Sequence, residues 1–118
     1  MEYRLGTMEY RFLTLIWENE PINSTQLMKM CAEKFSWKKS TSFTMIKKLQ
    51  EKGYIENKNS IVTSLVSQEA VMTAESKIVV TETFKGSLPK FVASFLGGST
   101  ISEEEAEEIK KLIDSIKE

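Results

Sequence analysis

The residues best suited to chemistry in this sequence are lysines and small hydroxyls that cluster between positions 34 and 58. That stretch holds seven lysines and two glutamates, a local net charge of +5. Lysine ammonium groups bind phosphate oxygens, and Ser and Thr hydroxyls bind phosphates or the edges of bases. The cluster therefore predicts a surface that binds the phosphate backbone of a nucleic acid.

Residue types that serve enzymes are scarce by comparison. The chain has no histidine, Asp114 is its one aspartate and Cys31 its one cysteine. General acid–base catalysis, nucleophilic catalysis and metal binding draw mainly on these types. We therefore expect neither an enzyme, nor a metal site, nor a cofactor. Cys31 is expected to be a small buried side chain on the apolar face of a helix.

The length and charge of the chain limit where such a surface can lie. A chain of 118 residues that is 41% hydrophobic forms one domain, or a small domain with an appendage. Residues 1–66 carry ten Lys and Arg against seven Glu, whereas residues 67–118 carry six Lys against ten acids. Contact with nucleic acid is therefore expected from the first part only.

No apolar run approaches the roughly 18 residues that cross a bilayer. The first four residues, Met-Glu-Tyr-Arg, do not begin a secretory signal peptide. We therefore expect a cytoplasmic protein with no membrane partner.

The basic cluster coincides with a predicted helix over residues 40–52. Its inner edge follows the i, i+3, i+4, i+7 spacing, with Ser42 where an apolar residue is expected and Gly53 as the residue that ends it. The candidate nucleic-acid contacts lie on its outer face, at its amino end and at one later position: Lys38, Lys39, Ser40, Thr41, Phe43, Thr44, Lys47, Lys48 and Lys58.

Other elements must position this helix. Helices are predicted near 8–18, where Thr7 is the expected N-cap, and near 24–34, where Asn23 is the expected N-cap. Strand-like segments at 54–56 and 61–65 follow, separated by a four-residue loop with Lys58 near its tip. Three helices followed by a hairpin predict a winged helix-turn-helix within a mainly α fold.

Some of the candidate contacts have two interpretations. Phe43 can meet a thymine methyl group in the major groove, or it can pack against the hairpin or the second helix. Lys47 and Lys48 can bind phosphates or form an ordinary solvated face. Thr44 can contact DNA or hydrogen-bond a helix carbonyl.

The distal part is predicted to hold three amphipathic helices, near 67–84, 88–96 and 103–117, with Ser67, Ser87 and Ser102 as N-caps. About fifty residues are few for an independent core, so we expect two copies to associate. The predicted domains are therefore a winged helix at 1–66 and a helical dimerisation region at 67–118. The apolar residues assigned to the dimer contact are Val71, Ile78, Phe84, Leu88, Phe91, Val92, Phe95, Leu96, Ile109, Leu112, Ile113 and Ile116.

An ordered set of motifs extends along nearly the whole chain. The motifs are Leu5-Gly6-Thr7, Leu15-Ile16-Trp17-Glu18-Asn19-Glu20-Pro21-Ile22, Trp37, Ser40-Thr41, Thr44-Met45-Ile46, Leu49, Lys52-Gly53, Leu65-Val66-Ser67, Phe84-Lys85-Gly86-Ser87 and Ile101-Ser102-Glu103-Glu104-Glu105. Together they resemble the penicillinase-repressor family. The resemblance implies a small homodimeric winged-helix repressor of Gram-positive bacteria that binds a two-fold symmetric operator.

The resemblance also implies release from DNA through a membrane sensor-protease system, and here the chain departs from the family pattern. The family is cleaved at an Asn-Phe bond; this chain has none, and Ser94-Phe95 is the nearest counterpart. The paired C-terminal cysteines of the copper-responsive branch are absent. Lys38 stands where a serine is usual, and the hairpin is shorter and less basic than in relatives.

The predicted function is therefore transcriptional repression by a homodimer, with antibiotic-resistance or stress genes as the targets. The alternative is a winged-helix adaptor that binds proteins. Only Arg4 and Arg11 are arginines, which is few for bidentate contacts with guanine. A steep dependence of DNA binding on salt distinguishes the repressor from the adaptor.

Overall fold

The computed structural model describes residues 5–118 and is mainly helical, as predicted. It forms two compact units that divide after Ile78, within the fourth helix. The elements in chain order are α1 Thr7–Asn19, β1 Ile22–Asn23, α2 Ser24–Phe35, α3 Lys39–Glu51, β2 Ile55–Lys58, β3 Ile61–Ser64, α4 Gln68–Thr83, α5 Leu88–Leu96 and α6 Glu103–Ile116.

Helix N-termini largely follow the capping pattern of the sequence. The Asn23 side chain accepts a hydrogen bond from the backbone N–H of Thr25 at 2.8 Å. Ser67, Ser87 and Ser102 accept corresponding bonds at the starts of α4, α5 and α6. The assignment of Thr7 as the first cap is wrong. Gly6 occupies the N-cap, and its N–H donates to the Glu9 carboxylate at 3.0 Å.

The core of the first unit forms around one stripe of α1. Phe12, Leu13 and Ile16 are fully buried there, because the helical repeat places them on the side that faces the other elements. Cys31 is buried in the same core, as predicted. The remaining buried apolar side chains are Leu15, Ile22, Leu27, Ile46, Leu49, Tyr54, Ile55, Val62 and Val71.

The sheet has three antiparallel strands in the order β1-β3-β2, one strand more than predicted. The extra strand, β1, has two residues, and Ile22 pairs with Val62. A two-residue strand is too short to show the alternating pattern by which strands are detected.

The loop of the hairpin is also shorter than predicted. Asn57 and Lys58 lie in β2 and pair with β3, so the turn is Asn59-Ser60 alone. Both turn residues have positive φ, at 53° and 63°. A two-residue loop with two positive φ values matches the right-handed twist of the flanking strands.

Two sets of hydrogen bonds join α1 and the residue that follows it to the β3 side of the hairpin. The Trp17 indole N–H donates to the Val66 carbonyl at 3.0 Å. The Glu20 carboxylate accepts from both the N–H and the hydroxyl of Ser64, at 2.8 to 2.9 Å. Hydrogen bonds to a charged carboxylate are stronger than those to a neutral acceptor. The Glu20 bonds, together with the Trp17 bond, therefore fix the base of the hairpin to the end of α1.

Ser42 faces the core from the first turn of α3 and is fully buried, as its spacing predicted. Among residues 5–118, no group meets ordinary hydrogen-bond geometry with its hydroxyl oxygen. It interacts weakly with the Cys31 thiol: burial raises the pKa of that thiol, and the contact with Ser42 partly offsets the rise. A buried hydroxyl without a good partner keeps most of its desolvation cost.

We therefore expect Ser42→Ala to raise the free energy of unfolding by about 1 kcal/mol, since it removes the poorly satisfied hydroxyl with little change of shape. Chemical denaturation of the full chain measures the change. Ser40→Ala, in the same helix but exposed, is the matched control for helix propensity. A loss of stability in Ser42→Ala would mean that the hydroxyl has a strong partner after all.

Candidate nucleic-acid interface

An aromatic cluster fixes the amino end of α3. The Trp37 ring stacks on Phe12 of α1 with centroids 5.8 Å apart, and it contacts Phe35 of α2 at 5.0 Å. The Arg11 guanidinium lies 5.0 Å above the Phe35 ring, at a distance typical of cation–π contacts. Because Phe12 is fully buried, the point where α3 begins is held against α1 and α2.

The carboxyl end of α3 is held by the turn into the hairpin. Gly53 has a φ of 84°, which glycine adopts without the Cβ clash that other residues suffer. The N–H of Tyr54 donates to the Leu49 carbonyl at 3.0 Å, and that of Gly53 to the Gln50 carbonyl at 3.1 Å. These two hydrogen bonds form a Schellman motif, and the Tyr54 side chain is buried next to it. Both ends of α3 are therefore fixed, and so is the direction of its outer face.

The outer face of α3 carries one continuous stripe of exposed residues. At 3.6 residues per turn, Ser40, Phe43, Thr44 and Lys47 lie along the side opposite the buried edge. Phe43 is 61% exposed, so most of this residue faces solvent and not the hairpin or α2. A large aromatic side chain so exposed on a polar stripe is available to a ligand.

The remaining candidate contacts surround this stripe. Lys38 is the N-cap residue; its side chain makes no capping bond and is exposed, as is Lys39. Thr41 and Lys48 lie seven residues apart on one flank of α3. Lys58 is exposed at the end of β2, beside the hairpin turn. The structure thus places all the candidates on the surface of the first unit, with Lys58 on the hairpin and the others on α3 or at its start.

Glu9 is a charged residue at this surface that the sequence pattern did not reveal as part of it. Its carboxylate lies 3.1 Å from the Lys52 ammonium and 3.6 Å from that of Lys48, and its side chain is only 12% exposed. Burial alone would raise the pKa of Glu9, but the Gly6 hydrogen bond and the two lysines together hold it below its ordinary value of 4.5. Glu9 lies 43 residues from Lys52, so no local spacing could have paired them.

The second unit presents a large apolar surface. No residue from Val79 to Glu118 is buried. The Phe91 ring meets Phe84 edge-on, with centroids 5.5 Å apart, and is tilted against Phe95, with centroids 6.1 Å apart. Exposed apolar side chains on α5 and α6 are Leu88, Val92, Phe95, Ile109, Leu112, Ile113 and Ile116.

Three further members of the predicted dimer contact are partly buried: Phe84, Phe91 and Leu96. Ile78, also partly buried, ends the first unit. The assignment of Val71 is wrong, since its side chain is fully buried within the core of the first unit. The first turns of α4 pack on that core, which amphipathic spacing alone could not show.

Within residues 5–118, no cluster of three or more His, Cys, Asp or Glu side chains is arranged to hold a metal ion. None of the helices in the same range has both the length and the apolar character needed to span a membrane.

Comparison with known proteins agrees with this architecture. The family model described as penicillinase repressor matches residues 5–115. The methicillin resistance regulatory protein MecI of Staphylococcus aureus is 25% identical over 116 residues, covering 95% of this chain and 94% of that protein. The penicillinase repressor of Bacillus licheniformis is 22% identical over 118 residues, covering 97% and 92%.

Among solved structures, the DNA-binding domain of the repressor BlaI superposes with a TM-score of 0.54 at 19% identity, over 58% of this chain and 88% of that one. This likeness shows the fold of the domain and confirms the predicted winged helix-turn-helix. The match of the family model runs through both units, from the start of α1 to the last turn of α6. The chain belongs to the penicillinase-repressor family.

Proposed function

We propose that this protein is a transcriptional repressor that binds duplex DNA with α3 in the major groove and the hairpin beside the phosphate backbone. The observation that carries the proposal is the fixed, exposed stripe Ser40, Phe43, Thr44 and Lys47 with further lysines around it. The major groove admits one α-helix, and its walls are lined with phosphates that lysines can neutralise. Membership of a repressor family supports the same conclusion and confirms that the chain is not an enzyme.

In this proposal the lysines at the margins position the protein on the phosphates, and the residues in the middle of the outer face of α3 contact the edges of the bases. Lys38, Lys39 and Lys58 bind phosphates at the two margins of the interface. Ser40, Thr41 and Thr44 offer short hydroxyls to phosphates or base edges, and Lys47 can reach either. Lys48 lies on the flank of α3 that faces Glu9.

The competing hypothesis is a winged-helix adaptor that binds protein and not DNA. Two features favour the repressor: the local charge of +5 between residues 34 and 58, and the exposed hydroxyl and lysine side chains on the outer face of α3. Phosphate binding is driven by counterion release, so it leaves a quantitative signature in the salt dependence.

We expect binding to mixed-sequence duplex DNA to weaken steeply between about 50 and 200 mM salt, and Lys47→Ala to lower the slope of log K against log salt by about 0.9. Fluorescence anisotropy at several salt concentrations gives the slope. Lys77→Ala, on α4 and outside the proposed interface, is the control with the same loss of charge. Binding that does not depend on salt would contradict the repressor and favour the adaptor.

Phe43 is proposed to contact the 5-methyl group of a thymine. An apolar ring on this face gains little from polar base edges, and the thymine methyl is the apolar group that the major groove offers. Its 61% exposure supports this contact over internal packing.

After selection of bound sites from a random DNA pool, replacing each thymine by uracil should identify one position where the wild type loses about fourfold in affinity, roughly 0.8 kcal/mol for one methyl group. Phe43→Ala should bind the thymine and uracil sites equally well. Gln50→Ala, an exposed polar residue two turns further along α3, should retain the wild-type discrimination, because it removes no apolar group from the ring contact. If Phe43→Ala still discriminates, the ring does not contact the methyl group.

We further propose that the second unit, from Val79 to Glu118, forms a homodimer contact, so that two copies of the winged helix in the first unit bind a two-fold symmetric operator. The support is the second unit itself, in which no side chain from Val79 onward is buried although α5 and α6 are rich in Leu, Ile and Phe. Exposed apolar surface of this extent marks association. Dimeric helix-turn-helix proteins bind paired half-sites, and their symmetry matches that of the operator.

The variants Phe95→Ser and Leu112→Ser should each weaken dimerisation at least about tenfold, because each removes an apolar side chain whose burial is worth about 1.5–3 kcal/mol. Sedimentation velocity over a concentration series measures the change. Met72→Ser, exposed on the part of α4 in the first unit, is the control. A wild-type chain that stays monomeric at high micromolar concentration would refute the dimer.

The site of action is proposed to be the cytoplasm, where the DNA is. Relatives are named for methicillin resistance and penicillinase, and resistance genes are therefore the proposed targets. We do not extend the proposal to a sensor protease. Ser94-Phe95, the counterpart of the family's cleaved bond, lies inside helix α5, whereas proteases bind extended chain.

A further inference from the structure

The Glu9 carboxylate joins the first turn of α1 to the last turns of α3. It accepts the Gly6 N–H at 3.0 Å and the Lys52 ammonium at 3.1 Å, and the Lys48 ammonium lies 3.6 Å away. The carboxylate is largely shielded from water, and its pKa is lowered despite that burial, so it is ionised at neutral pH. An anionic group thus lies beside the positive surface proposed for DNA.

The two lysines hold Glu9 in different ways. Lys52 forms a hydrogen bond of normal length with it, whereas Lys48 is more distant and its side chain is 50% exposed, against 41% for Lys52. Lys48 also lies one turn nearer the stripe that contains Lys47. Lys48 is therefore the partner that can leave Glu9 when another anion approaches.

We propose that Glu9 competes with a DNA phosphate for Lys48 and thereby lowers the number of phosphates that the protein neutralises. Carboxylate and phosphate oxygens bind an ammonium group in the same way, through charge-assisted hydrogen bonds. A lysine held by an internal carboxylate releases fewer counterions from DNA than a free lysine does. Glu9 is thus a positioning residue that acts through Lys48; this inference rests on the proposed function in DNA binding.

The test uses the full chain and mixed-sequence duplex DNA, with affinities measured between about 50 and 200 mM salt. Glu9→Gln removes the charge but keeps an oxygen that can accept the Gly6 N–H. We expect its slope of log K against log salt to be steeper than that of the wild type by up to about 0.9, with tighter binding at the lowest salt. Adding Lys48→Ala to Glu9→Gln should abolish that gain.

Glu69→Gln is the matched control, because it makes the same change of net charge at an exposed position in the first turn of a helix, α4, outside the proposed interface. A gain no larger than that of Glu69→Gln would overturn the proposal. So would a gain that persists in the double variant, or a shallower slope in Glu9→Gln. A mere structural role for Glu9 would change the melting temperature without steepening the slope.

A second comparison leaves Glu9 in place and does not depend on the folding of its variant. With Glu9 present, Lys48→Ala should lower the slope much less than the roughly 0.9 expected for Lys47→Ala. Equal losses in these two variants would refute the competition while leaving DNA binding itself supported. Salt-independent binding by the wild type would instead refute the proposed function.

Discussion

The interaction on which the rest of the structure depends is the burial of one stripe of α1. Phe12, Leu13 and Ile16 are fully buried, and the helix that carries them contacts the other parts of the proposed interface. Phe12 stacks on Trp37 where α3 begins, Glu9 holds lysines near the end of α3, and the last turn of α1 is bonded to the base of the hairpin. The helix proposed to face DNA is thus oriented by a helix that need not touch it. A change in the packing of α1 would therefore alter DNA binding without altering a contact residue.

The sequence was sufficient to predict the helices and most of their caps, because both depend on residues a few positions apart. The inward direction of Ser42 and the outward direction of Lys47 followed from helical spacing in the same way. The features that were missed depend on distant partners. Strand β1 exists through its pairing with β3, and Glu9 meets Lys52 across 43 residues. Phe43 was ambiguous because helical spacing gives a direction, whereas its exposure depends on how closely α2 and the hairpin approach.

The two units differ in the means by which they can be stable. The first has a continuous core that includes all three of its complete helices and the sheet. The second has no buried side chain, so its helices gain little from burial within one copy. If a second copy covers them, folding and association of this unit are linked, and its stability rises with protein concentration. Occupancy of an operator would then depend on the amount of repressor more steeply than one-to-one binding allows.

The attachment of the hairpin has a consequence for the DNA. The Glu20 carboxylate and the Trp17 indole hold the β3 side, and β1 pairs along its outer edge, so the freedom left to the hairpin lies mainly in its two-residue turn. In the proposed complex, a hairpin and a helix that are both attached to α1 would set the spacing between their contacts with groove and backbone, and the duplex would have to conform to it. Base pairs that the protein never touches would then influence affinity through the energy required to bend or narrow them. On the proposed function, the operator would then be selected in part by the energy needed to deform it, in addition to the bases that α3 contacts.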